Sequence, residues 1–218
     1  MRKNSPVKGL LNFSIHSSSG NFLIALMLCI LIGMALIVTG NVALYSFFVA
    51  AAIGFPPMFF MMGSAGSGKS SKWERFRISM PVRRKDVITS NYLGVIATMV
   101  VAVPIFVVFS GLGVVIHTDL ADLIRTSAVH EFVSFFSVAL LSAALFYPLV
   151  NSIGGDKGDG LLIVCMLGGI GIMLGISWVG GRVDLADNII SISTLLVSTL
   201  TYFASFLITQ KIYAKKDF

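Results

Sequence analysis

Eight residues of this chain spell a nucleotide-binding signature. Gly63-Ser64-Ala65-Gly66-Ser67-Gly68-Lys69-Ser70 fits the pattern G-x-x-x-x-G-K-[ST] at every position. In a nucleotide-hydrolysing domain such a loop leaves a buried strand and opens a helix, its amides cradle phosphates, and its Ser/Thr hydroxyl holds magnesium. That chemistry depends on surroundings that these letters lack. An apolar run ending in Met61-Met62 precedes them, and a basic stretch of about 20 residues followed by another apolar run comes after. No parallel sheet fits between the two runs, and no acidic strand end is available for magnesium. A Gly/Ser-rich exit from an apolar helix explains the same string, and nucleotide binding by this chain is not expected.

The remaining residue types that do chemistry are sparse. His16, His117 and His130 are scattered without ligand spacing, so no metal site is expected. Cys29 and Cys165 both fall inside apolar runs and read as small packed or lipid-facing residues. No arrangement suggests a catalytic residue or a cofactor. The composition explains why: 56% of the residues are hydrophobic and 12% are charged, against about 25% charged in an average soluble domain. A chain this apolar cannot cover a soluble surface, so the class is an all-α polytopic membrane protein. The net charge of +6 then points to lipid head groups and topology rather than to nucleic acid. No cleavable signal peptide is evident, because a further span follows the first without a small-x-small cleavage site.

A membrane span needs roughly 20 apolar residues. Six segments qualify, at about Phe22–Val38, Val42–Met62, Tyr92–Ile116, Glu131–Val150, Leu161–Val179 and Ile189–Thr209. They leave no room for a soluble domain, so residues 1–218 form a single membrane domain. No span interior is expected to hold Asp, Glu, Lys, Arg or His, with His130 and Glu131 at the outer edge of the fourth. Buried ionisable groups usually mark ion or proton paths. Their absence argues against a proton-coupled transporter, an intramembrane protease and a charge-lined channel. Uphill movement of a solute would need energy from a partner.

Positive charge sets the orientation. Fourteen of the 16 Lys and Arg residues fall on one side of this layout and only Arg125 and Arg182 on the other, which assigns both termini to the cytoplasm. Outside, Thr39-Gly40-Asn41 reads as a tight turn and the region around Thr118–Ala128 as a longer loop able to form a short surface helix. Before the first span, Val7, Leu10, Leu11 and Ile15 recur at helical spacing, the pattern of a short interfacial helix. Pro56-Pro57 and Pro104 lie inside spans and remove backbone donors there.

Seven of the basic residues (Lys69, Lys72, Arg75, Arg77, Arg83, Arg84 and Lys85) crowd into Ser67–Asn91, between the second and third spans. Within this loop Trp73, Phe76 and Met80 share one helical face, and the helix should end before Pro81, because a residue preceding proline is pushed out of helical geometry. A second helix is expected to start near Arg83–Asp86 and run into the third span. Physical chemistry alone leaves two uses open for the apolar stripe: anchoring in the lipid interface, or docking to a protein.

The particular letters favour docking. Lys72-Trp73-Glu74-Arg75-Phe76, then Ser79-Met80-Pro81-Val82-Arg83-Arg84-Lys85-Asp86-Val87-Ile88, then Asn91-Tyr92-Leu93 resembles the small six-span permeases of type-two ATP-binding-cassette exporters. Tyr147-Pro148-Leu149 followed by Gly154-Gly155-Asp156-Lys157 is a second point of resemblance. Met80 and Asn91 replace a more usual Leu and Lys, and the run Gly63–Ser71 stands where the family often has acidic residues. The resemblance implies six membrane helices with a short cytoplasmic coupling helix between spans two and three. It implies docking of a separate cytoplasmic ATPase through Trp73, Glu74, Phe76, Met80, Pro81 and Arg84, with Gly155, Asp156 and Lys157 as a secondary contact. It also implies a second permease copy, in a homo- or heterodimer, and a bacterial plasma membrane, with catalysis left to the ATPase and the substrate open to amphipathic peptides or lipid-like molecules. The competing class is a non-transporting immunity or sensor protein that binds a peptide.

The charge count yields a direct test. Single cysteines replacing Asp122 and Asp184 should react with an impermeant maleimide added to intact cells, whereas Ser71→Cys and Asp217→Cys should react only after lysis. The reverse pattern overturns the orientation.

Overall fold

In hydrocarbon a backbone can satisfy its polar groups only within a helix or a closed barrel, and the apolar runs of this chain all become helices. The computed structural model describes residues 9–12, 19–65, 83–153, 158–182 and 187–215. Six long helices follow one another: α1 (Ser19–Thr39), α2 (Val42–Ala65), α3 (Arg84–Ile116), α4 (Thr118–Ile153), α5 (Gly158–Arg182) and α6 (Asp187–Lys215). Each is long and apolar enough to cross a membrane, and no strand occurs among the described residues. Residues 9–12 are helical, in the segment where an interfacial helix is expected. The segment expected to hold the coupling helix lies outside the described residues.

The helices overrun the apolar segments. α3 starts at Arg84, as the reading of a helix running into the third span requires. α4 differs from expectation: Thr118 to Ala128 is not a separate surface helix but the first part of one 36-residue helix. At 1.5 Å per residue that is about 54 Å, well beyond a hydrocarbon core of about 30 Å. Glu131 lies five residues inside the start of the apolar stretch Thr126–Ile153. Its carboxylate accepts a 3.0 Å hydrogen bond from the Ser46 hydroxyl of α2, and its second oxygen is buried without a partner.

α2 and α4 form the centre. Just over half of each of their spanning windows, 56%, is buried, against 17–28% for the other four. α4 packs on α2, α3, α5 and α6, while α1 covers α2 and α3. One apolar cluster at the Gly40 end joins Leu36, Tyr45, Phe48 and Ile53 to Phe106, Phe109 and Phe132. A second, at the end carrying Arg84 and Lys211, gathers Phe60, Met61, Tyr92, Val95, Tyr147 and Tyr202. The peripheral helices turn Leu, Ile and Val outward, the composition that lipid demands. Cys29 and Cys165 are both buried and free.

Geometry calls for glycine at Gly40 and at Gly94. Gly40 has φ +61°, and its amide closes α1 on the Leu36 carbonyl at 2.9 Å, the left-handed helix ending that glycine favours. The His117 ring stacks over it and hydrogen-bonds the Ile37 carbonyl at 2.7 Å. The Asn41 carboxamide oxygen then accepts from the Ala43 amide at 2.9 Å and opens α2. At Gly94 of α3, a β-carbon would run into the Phe60 ring of α2, a wall of aromatic carbon rather than the end of a flexible chain.

Gly94→Val should therefore lower the stability of the detergent-solubilised protein by about 1–3 kcal/mol, the usual cost of overpacking. Gly171→Ala, where no atom lies within 4 Å of the added carbon, should leave it unchanged or slightly higher. Thermal unfolding of the two variants side by side checks both.

Candidate functional site

The end of the bundle where basic residues collect is assembled from the entry of α3 and the exit of α4. Arg83 is extended, with φ −69° and ψ 137°, and the Asp86 amide bonds its carbonyl at 2.9 Å. Asp86 lies in the first turn of α3, where a carboxylate complements the helix dipole. Arg84 is the first residue of α3. The other residues expected from sequence to dock a partner (Trp73, Glu74, Phe76, Met80 and Pro81) lie outside the described residues, as do Gly155, Asp156 and Lys157. α2 runs helically through Gly63, Ser64 and Ala65, the first three letters of the apparent phosphate-binding string, where such a loop would follow a strand.

Two turns into α3 from Arg84, the bundle is tied together by a buried polar knot. The Tyr92 hydroxyl lies 2.8 Å from Ser205 Oγ and 2.9 Å from Thr209 Oγ1, both on α6. Ser205 also donates to the Ala144 carbonyl of α4 at 2.6 Å. Tyr202 of α6 donates to the Tyr92 carbonyl at 2.8 Å, and Tyr147 of α4 to the Asn91 carbonyl at 3.2 Å. The Tyr92 ring sits 4.8 Å from Tyr147, 5.0 Å from Tyr202 and 5.3 Å from Phe206 between centroids. Offset and edge-on ring pairs at such distances add to area burial. Tyr92, Tyr147, Ser205 and Thr209 are all buried.

Beside the knot, α2, α4 and α5 enclose a half-open groove of about 170 Å³, enough for a benzene-sized group by comparison with apolar cavities near 150 Å³. Phe47, Phe55, Met58, Met61, Phe135 and Ile170 line it among others, and Ser142 is its one polar lining residue. The Ser142 hydroxyl is already donated to the Val138 carbonyl at 2.7 Å. The groove can therefore grip hydrocarbon or an aromatic ring and offers no anchor for a charged group. Gly54 and Pro57 lie in its α2 wall.

From sequence alone Tyr92 and Tyr147-Pro148 stand out only through the family resemblance, with no structural task, and Tyr202, Ser205 and Thr209 do not stand out at all. Two signals carried them. Pro148 has no amide hydrogen and so orphans the carbonyl four residues earlier, that of Ala144. On α6, Thr194, Ser198, Tyr202, Ser205 and Thr209 recur at steps of four, four, three and four, one helical face, and all are buried. A polar stripe on an apolar helix marks the face turned toward other helices.

With this geometry in hand, comparison with known proteins gives one result. The family model described as ABC-2 family transporter protein matches residues 14–214. That match spans nearly all six helices, and the chain belongs to this family. No curated protein and no solved structure matches the chain.

The knot makes a quantitative prediction. Ser205→Ala should destabilise the protein by about 1–3 kcal/mol, because it leaves a buried acceptor unsatisfied. Pro148→Ala restores an amide donor to the Ala144 carbonyl, so adding it to Ser205→Ala should recover part of the loss. A double-mutant cycle by denaturation in detergent reads the coupling, and strict additivity would refute the pairing.

Proposed function

Because the chain belongs to the ABC-2 transporter family and is a membrane component of such a transporter, we propose that it forms the translocation path of an ATP-driven exporter and couples to a separate cytoplasmic ATPase. In this reading two permease copies and two ATPases make the working unit in a bacterial plasma membrane, with both termini and the loops after the second and fourth spans inside the cell. Trp73, Phe76 and Met80 present an apolar stripe to the ATPase. Glu74 and Arg84 flank it, Pro81 ends the helix, and Gly155, Asp156 and Lys157 form a secondary contact.

The observation that carries the proposal is the continuity between the loop and the bundle. Only Val82 and Arg83 separate Pro81 from the first residue of α3. A push on the stripe would be delivered along a helix axis instead of being lost in a slack linker. ATP binding closes the ATPase pair, the two loops approach each other, and α3 carries the displacement into the bundle. The apolar groove between α2, α4 and α5 suits the hydrocarbon or aromatic part of an amphipathic peptide or a lipid-like molecule. The lack of free polar groups in its lining argues against a sugar or an inorganic ion at that spot.

Phe76→Asp combined with Met80→Asp should detach the ATPase and abolish the hydrolysis that the permease stimulates, while the chain still inserts and elutes normally on gel filtration. Each buried apolar anchor at an interface is worth on the order of 1–3 kcal/mol, so two charges there remove binding outright. Met80→Leu should be nearly silent. If the double variant retains its ATPase at full occupancy and instead loses insertion, the stripe anchors in lipid and the docking proposal fails.

A further inference from the structure

Proton counting gives the knot a direction. Ser205 Oγ donates to the Ala144 carbonyl at 2.6 Å, which commits its single hydrogen. Where Ser205 meets the Tyr92 phenol at 2.8 Å, the serine oxygen must accept and the phenol donate. The phenol hydrogen is then committed too, so at the 2.9 Å contact with Tyr92 Thr209 is the donor. One chain results: Thr209 hydroxyl to Tyr92 hydroxyl to Ser205 hydroxyl to Ala144 carbonyl. It passes from α6 to α3, back to α6 and on to α4, and it ends on the carbonyl that Pro148 leaves without a donor. Buried chains of this kind strengthen link by link, and breaking one link weakens the rest.

We propose that this chain makes Tyr92 a positioning residue for transport, holding the basic ends of α3, α4 and α6 as one body, so that displacement entering at Arg84 reaches α4 and the groove it lines. The inference rests on the reading of the preceding loop as an ATPase contact. α3 needs such a lock, since its spanning window is only 22% buried and apolar contacts with its neighbours would let it slide or bend alone. Sliding α3 along α6 would break both phenol contacts as well as the bond from Tyr202 to the Tyr92 carbonyl. Ring packing resists separation of the helices, whereas the hydroxyl chain resists sliding. Tyr92→Phe keeps the first and cuts the second at the two phenol contacts, leaving the bonds to the Ala144, Tyr92 and Asn91 carbonyls in place.

The test uses the permease co-purified with its ATPase in nanodiscs. Tyr92→Phe should keep the ATPase at wild-type occupancy while lowering permease-stimulated hydrolysis between about twofold and tenfold, the ratio that one net hydrogen bond is worth. Amide exchange should speed up by a similar factor in residues 84–91 of α3 and, together with them, in residues 145–153 of α4. Thr209→Val added to Tyr92→Phe should have little further effect, because both break one chain. Ser198→Ala, on the same buried face but bonded only to the Leu195 carbonyl, should match wild type in every measurement. Unchanged stimulation at full ATPase occupancy overturns the proposal, and so does faster exchange confined to α3. If the wild-type chain captures no ATPase, the docking reading is what fails. Exchange in the permease alone then decides whether the three helix ends move as one body, joint acceleration upholding the lock and wild-type exchange refuting it.

Discussion

A hydrocarbon solvent offers the Ala144 carbonyl nothing to replace the amide hydrogen that Pro148 lacks, and the architecture of the basic end follows from that one orphaned acceptor. An unsatisfied backbone group at membrane depth costs several kcal/mol. The donor must come from a neighbouring helix, and Ser205 supplies it at 2.6 Å. To do so α6 must lie against α4 with its polar stripe turned inward. Once Ser205 has spent its hydrogen it can only accept, and Tyr92 of α3 fills that role as donor. Three helices are thus held in register by the consequence of one missing N–H.

This register places polar and apolar work in different parts of the bundle. Hydroxyl hydrogen bonds among α3, α4 and α6 are directional and specify how far one helix may slide along another. Contacts in the groove between α2, α4 and α5 are non-directional and tolerate varied apolar shapes. α4 belongs to both regions. Its Ser142 and Ala139 line the groove, while Ala144 and Tyr147 join the knot. A helix that shares a rigid contact with α3 and a soft one with the groove is well placed to turn a push at one into a change of shape at the other. At the opposite end, Gly40 and His117 close the bundle with hydrogen bonds near helix ends, the Ser46–Glu131 pair ties α4 to the second turn of α2, and Trp178, with Arg182 stacked 4.8 Å from its ring centre, marks that end of α5, a placement common for aromatic residues at membrane interfaces.

Membership of the ABC-2 transporter family agrees with the six long apolar helices. At the start of the string Gly63–Ser70 the setting departs from that of a nucleotide-binding loop. α2 carries its first three residues as helix, a conformation without the strand-to-helix turn that presents amides to phosphate. Counting apolar residues places Glu131 at the outer edge of the fourth span, and the structure adds what the count could not: the carboxylate sits beside α2 and accepts a hydrogen bond from Ser46.

The one-dimensional sequence determined class, helix number and the approximate ends of most spans, because hydrophobic length is a local property and a bilayer accepts few backbone solutions. It also determined the tight turn at Gly40 and the start of α3 near Arg84, since glycine, proline and charge act within a few residues of themselves. Which faces meet was decided only by the tertiary structure. Lipid and protein interiors are equally apolar, so Leu, Ile and Val say nothing about which side of a helix is covered. The polar stripe of α6 hinted at its inward face, but the pairing of Ser205 with Ala144, of Tyr92 with Thr209 and of Phe60 with Gly94 spans 34 to 117 positions of sequence. Those contacts exist because two helices pack at a particular rotation and register, and no local pattern encodes that.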